Sequence, residues 1–267
     1  MTHKTQILVL SLVLVVLTLP ALAASEMIPV AEGNKWTYDC YRSIVGAIMF
    51  QGRVMSSLND LSFGSSVYEI LSVDNKANPP VFEYRESVDT ASATGGSGSH
   101  SQIDIKFVQT ERGQEIASTN RSATVSDEGE KQDYSPALLY YMRDAAPGKQ
   151  WDVGGMRDAK TEIPMKAKAV GKETVTVPAG TFKDCLKVVY YSDTMTGSAD
   201  IWGKEFNVTS GRTRGVYWIA DGVGVVKELE IAESEAETIG PDGKTPLRIE
   251  SYSCDVRELK PGFVVKK

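Results

Sequence analysis

Val216-Tyr217-Trp218-Ile219-Ala220-Asp221-Gly222-Val223-Gly224-Val225-Val226-Lys227 is the stretch that decides the fold. Two runs of β-branched and aromatic residues flank Asp221-Gly222, a pair that accepts the positive φ angles of a tight hairpin. A period-two pattern spreads outward from it. Val223 to Ile231 continues one strand, and Leu247 to Val256 supplies another. Leu186 to Tyr191 is nearly unbroken apolar sequence, as in a strand covered on both faces. Glu173 to Val177, Gln102 to Gln109, Val81 to Arg85, Val67 to Val73 and Lys35 to Arg42 alternate, with turn residues between them. The pattern predicts a mainly β protein: a curved antiparallel sheet or open half-barrel.

Helical signal is scarce. Ser135 to Arg143 is the best candidate, with Ser135 as cap, Pro136 at the first helical position and Pro147-Gly148 beyond its end. Leu58 to Phe63 could add a short turn. One or two short helices are therefore expected against the sheet. The Ser/Thr/Ala/Gly stretch 89–101 and the acidic stretch 233–244 are expected to be flexible loops within a single domain over 24–267.

Ile7 to Leu19 is an apolar run after Lys4, followed by Pro20 and Ala21-Leu22-Ala23-Ala24. This is the pattern of a secretory signal peptide over residues 1–23. The run of about 13 residues is short for a membrane span, and no later segment is apolar enough to be one. A periplasmic or secreted protein with no transmembrane span is expected.

The 267-residue chain carries a formal charge of −6, which argues against nucleic acid as a partner. It has two histidines, His3 and His100, and His3 falls in the leader. Sites built from several histidines are thereby excluded, and neither a metal nor a cofactor is expected. The Gly222-Val223-Gly224 run lacks phosphate-loop spacing. Asp152, Asp158, Glu162, Asp184, Asp193 and Asp200 are scattered, so a carboxylate-dependent hydrolase ranks last and no catalytic residue is assigned.

Three cysteines remain: Cys40, Cys185 and Cys254. By alternation Cys40 shares a face with Trp36 and Tyr38, and Cys254 shares one with Tyr252 and Val256. A Cys40–Cys254 disulfide is the favoured pairing in an oxidising compartment, with three buried thiols as the alternative.

Aromatic residues recur on the expected strands. Trp36, Tyr38, Tyr190 and Trp218 are candidates to line the concave side, either as core or around an apolar ligand. The favoured function is non-enzymatic binding of a lipid or acyl chain. The alternative is an envelope protein that binds another protein through its sheet surface.

Three stretches together carry a resemblance. They are Gly33-Asn34-Lys35-Trp36-Thr37-Tyr38, Val177-Pro178-Ala179-Gly180-Thr181-Phe182-Lys183-Asp184-Cys185-Leu186-Lys187-Val188, and Tyr217-Trp218-Ile219-Ala220-Asp221-Gly222-Val223-Gly224-Val225-Val226-Lys227. The chain resembles a group of exported, uncharacterised bacterial β-rich proteins, themselves distantly similar to periplasmic lipoprotein carriers of the LolA/LolB type. The resemblance implies an open half-barrel with an apolar concavity, and it implies no catalytic residues.

Overall fold

Gly222 takes a φ of +68°, and the Val223 N–H donates to the Ala220 carbonyl at 3.1 Å. The chain therefore reverses where Asp221-Gly222 predicts. This computed structural model describes residues 27–93, 98–122, 129–158, 160–201 and 203–266. The expected signal peptide over 1–23 lies outside the described residues, as do 94–97 of the stretch 89–101, whose flanks 89–92 and 99–101 are strand and not loop.

The strands in chain order are β1 (Lys35–Phe50), β2 (Arg53–Asp74), β3 (Val81–Ser92), β4 (Ser99–Gln109), β5 (Gly113–Ser122), β6 (Glu130–Met142) and β7 (Gln150–Asp158). They continue as β8 (Thr161–Val177), β9 (Gly180–Ser192), β10 (Thr196–Ile201), β11 (Lys204–Ala220), β12 (Gly224–Ile239) and β13 (Pro246–Leu259). All belong to one antiparallel sheet, ordered β10-β8-β9-β11-β12-β13-β1-β2-β3-β4-β5-β6, with β7 also paired to β8. The chain's ends bring β1 and β13 together, from Tyr38↔Leu259 to Phe50↔Leu247.

The sheet curls until its ends touch. The Trp151 indole on β7 donates to the Leu139 carbonyl on β6 at 3.1 Å, and the Tyr134 hydroxyl on β6 donates to the Arg157 carbonyl on β7 at 3.2 Å. No ladder joins β6 to β7 among the described residues. The ring is thus closed by side chains along one seam.

One end of the ring is plugged. Asn34 is fully buried; its Nδ2 donates to the Pro29 carbonyl at 3.0 Å, and its Oδ1 accepts from the Lys266 N–H at 2.7 Å. One side chain so pins both terminal segments across this end. Ile28 is buried there, and its carbonyl accepts from Gln114 at 2.9 Å. All three stretches that carry the family resemblance converge at this end. The Trp36 indole donates to the Val223 carbonyl at 2.7 Å, the Tyr38 hydroxyl to that of Val225 at 2.8 Å, and the Ala179 N–H to that of Leu259 at 2.9 Å. These motifs are fold determinants that close the plugged end.

The opposite end is open. β3 ends against Ser62 of β2, with the Ala93 N–H donating to the Leu61 carbonyl at 2.7 Å, so residues 53–60 project past it, in ladder pairing among the described residues with β1 only. The β1–β2 and β12–β13 hairpins together form a flap beyond the mouth.

Three expectations need correction. Residues 135–143 are not a helix; 135–142 lie in β6 with Arg143 in the turn after it, and Leu58–Phe63 lies in β2. The Ser-Pro capping signal misleads because Pro136 sits where the β5–β6 ladder lapses, between Ile116↔Leu138 and Ser118↔Asp133. A proline needs such a gap, since it has no N–H to give to the ladder. No helix occurs among the described residues. The stretch 233–244 is mostly strand: β12 runs to Ile239, paired with β13 down to Pro246.

The third correction is the disulfide. All three cysteines are free. Cys40 is aligned with Arg257, whereas Cys254 is aligned with Ser43, an odd number of residues along β1. The two thiols therefore point to opposite faces of the sheet. The face holding Tyr252, Cys254 and Val256 is the outer one, and Tyr252 is exposed.

Candidate functional site

Inside the ring, towards the open end, lies a cavity of about 530 Å³. Its wall changes character along each strand. From the plugged end outward, β3 contributes Phe82, Tyr84 and Glu86; β4 contributes Phe107, Ile105, Ile103 and Ser101; β5 contributes Gln114, Ile116, Thr119 and Arg121. β6, running the other way, gives Tyr140 and Tyr141 inside and Gln132 and Glu130 at the mouth. Aromatic side chains crowd the inner part, with Gln114 among them, and most of the polar and charged ones stand nearer the mouth, with Val88 and Tyr134 among them.

A charged cluster is built into this wall from side chains of β12, β13, β2 and β3, reaching across β1, which lies between β13 and β2. Arg257 Nη1 donates to Glu228 Oε2 at 2.7 Å, and its Nη2 lies 3.0 Å from Glu86 Oε1. The Tyr68 hydroxyl accepts from Arg257 Nη1 at 2.9 Å and donates to Glu228 Oε2 at 2.9 Å. Glu230 stands 3.9 Å from the same guanidinium, beyond hydrogen-bonding distance, and accepts instead from the Tyr217 hydroxyl. Tyr140 donates in turn to Tyr217 at 3.1 Å.

Burial dominates the electrostatics of these groups. It pushes the Glu228 carboxyl up to about 7 against the pull of Arg257, with Glu230 and Glu86 adding repulsion. Glu86 is raised for the same first reason. Burial works against the Arg257 charge too, but Tyr68, Glu86 and Glu228 outweigh it and hold the guanidinium protonated. Burial lifts the Tyr68, Tyr84, Tyr140 and Tyr217 phenols well above their ordinary value, so they line the site as neutral hydroxyls.

None of the four aromatic residues expected from the sequence lines this cavity. Trp36 and Tyr38 are fully buried at the plugged end. Tyr190 lies behind the wall, stacked on Tyr140 at 4.8 Å and donating to the Tyr140 carbonyl at 2.7 Å. Trp218 neighbours the inward Tyr217 and so faces out; it donates to Glu173, with Lys187 5.0 Å from its ring centre. Of the residues that form the site, Tyr68, Glu86, Glu228, Glu230 and Arg257 are not singled out by sequence reasoning. A signal exists: Glu228 and Glu230 fall in step with the buried Val226, so the strand's period places two acids inside.

Of the scattered acids, Asp152, Glu162, Asp184 and Asp193 are absent from the cavity wall. His100 pairs with Asp89 at 2.6 Å on the β3–β4 hairpin. No cluster of three or more His, Cys, Asp or Glu suited to a metal ion occurs among the described residues.

Residues 150–234 match the DUF3108-like family model. The match spans β7 to the middle of β12 and includes Tyr217, Glu228 and Glu230, but not Glu86 or Arg257. No curated protein matches the chain. Among solved structures, the chain is similar to a "putative lipoprotein" from Parabacteroides distasonis. That protein is 16% identical, with 89% of this chain and 99% of that chain covered at a TM-score of 0.32.

Proposed function

We propose that this is an exported, non-enzymatic binding protein that holds an amphipathic, lipid-like ligand inside its curled sheet. The observation that carries this is the cavity of about 530 Å³, whose wall grades from Phe82, Phe107 and Ile116 inside to Arg121, Gln132 and Glu130 at the mouth. That volume lies within the range of small-molecule sites, and an apolar wall favours burial of a ligand's hydrocarbon part. The polar outer wall suits a head group left near water. Export rests on the leader pattern of residues 1–23.

Native mass spectrometry of gently purified protein, followed by solvent extraction, tests this. A bound mass in the lipid range supports the proposal, and Ile105→Trp, which fills the cavity, should release it. A clean ligand-free mass, together with failure to take up any acyl probe, would overturn it.

A second reading has its own observation. On the outer face, Tyr41 and Phe63 meet edge-on at 5.7 Å, and with Val45, Leu61 and Tyr252 they form an exposed apolar strip. Apolar patches of this kind mark contact surfaces for partners. A photo-crosslinker at Val45 tests for an envelope protein: a discrete adduct, lost on Phe63→Ser, supports that partner, and no adduct removes it.

A further inference from the structure

We propose that the head group of the bound ligand is an organic cation, a protonated or quaternary amine, held against Glu230. This rests on the binding reading above and specifies the chemistry of the same cavity.

Charge is the first argument. The arginines of the wall are Arg42, Arg121, Arg157 and Arg257; its acids are Glu86, Glu130, Glu228 and Glu230. Two of these cations are engaged by acids outside the wall: Arg42 by Asp255 at 2.6 Å, and Arg157 by Glu162 at 3.4 Å. Four carboxyl groups then face Arg121 and Arg257, Glu228 among them raised by burial to about 7 and so only partly charged. Arg257 gives its hydrogen bonds to Tyr68, Glu228 and Glu86, and Glu230 meets it only as an ion pair at 3.9 Å, without a hydrogen bond. The Glu230 side chain is 39% exposed, so its carboxylate is open to an incoming group. An anionic head would meet this excess of like charge, whereas a cation offsets it.

The aromatic wall is the second argument. Neutral Tyr68, Tyr84, Tyr140 and Tyr217 surround the same region, and ring faces attract alkylammonium groups. Arg257 already lies 5.9 Å from the Tyr68 ring centre.

Three probes with the same decyl chain test the proposal on the whole protein by titration calorimetry below their micellar concentrations: decyltrimethylammonium, decyl glucoside and decyl sulfate. The cationic probe should bind about tenfold tighter than the neutral one, and the sulfate weakest. Glu230→Gln should narrow the gap between the cationic and neutral probes several-fold. Equal affinities, or tightest binding of the sulfate, would overturn the cation while leaving ligand binding intact. Failure of all three to bind would overturn the binding proposal itself. The wild-type comparison decides the matter even if the variant does not fold.

Discussion

Arg257 and Glu228, on adjacent strands, face each other in register and meet at 2.7 Å with side chains almost wholly removed from water. Tyr68 and Glu86 complete the arrangement from β2 and β3, on the far side of β1. Removing the cation strands two buried carboxylates. Arg257→Met should therefore cost about 3–5 kcal/mol in urea unfolding, as for other broken buried pairs. Arg257→Met combined with Glu228→Gln should recover part of that loss, and a double-mutant cycle measures how much.

The raised Glu228 carboxyl makes stability depend on pH. Its folded value of about 7 lies above the ordinary value of 4.5 expected once the chain unfolds. Between those values the folded state binds more protons, so its contribution is fully present below about 4.5 and lost as pH rises through about 7. Unfolding midpoints should fall from pH 5 to pH 8, and Glu228→Gln should flatten that slope. A slope unchanged in the variant would assign the effect to another group.

Because Cys40 and Cys254 point to opposite faces, no internal disulfide is expected. Alkylation in denaturant without reductant should add three labels. In the native state all three should react slowly, since burial raises each thiol above its usual value. Cys254, the least buried, should label first. Fewer than three labels in denaturant would contradict the register of β1 and β13.

Asn34 pins both terminal segments with two hydrogen bonds inside the plug. Asn34→Ala leaves the Pro29 carbonyl and the Lys266 N–H without that partner and should cost about 2–4 kcal/mol. Hydrogen exchange should quicken at residues 27–33 and 261–266 before it changes in β3 to β5.

The β architecture was legible because alternation and Asp221-Gly222 are local signals. The inner and outer faces were not, and the reason is visible in β12 and β13. Leu229, Ile231, Val256 and Tyr252 sit outside, while Glu228 and Arg257 sit inside and satisfy each other. A rule that turns apolar residues inward inverts such strands, and a one-residue inversion moves every side chain to the other face. That inversion produced the disulfide expectation and hid the acids of the cavity. Ser135-Pro136 misled for a different reason: the partner strand that accommodates the proline is distant in sequence.

The β6–β7 seam, stitched by Trp151 and Tyr134 with no ladder between the strands, gives the ring one line along which it can widen without breaking backbone pairing. A guest broader than the mouth would find a lateral entrance there. Its opening would have to break the bonds of Trp151, Tyr134, Tyr140 and Tyr190 across the seam and draw Gly154 away from Leu138, whatever the diameter of the mouth.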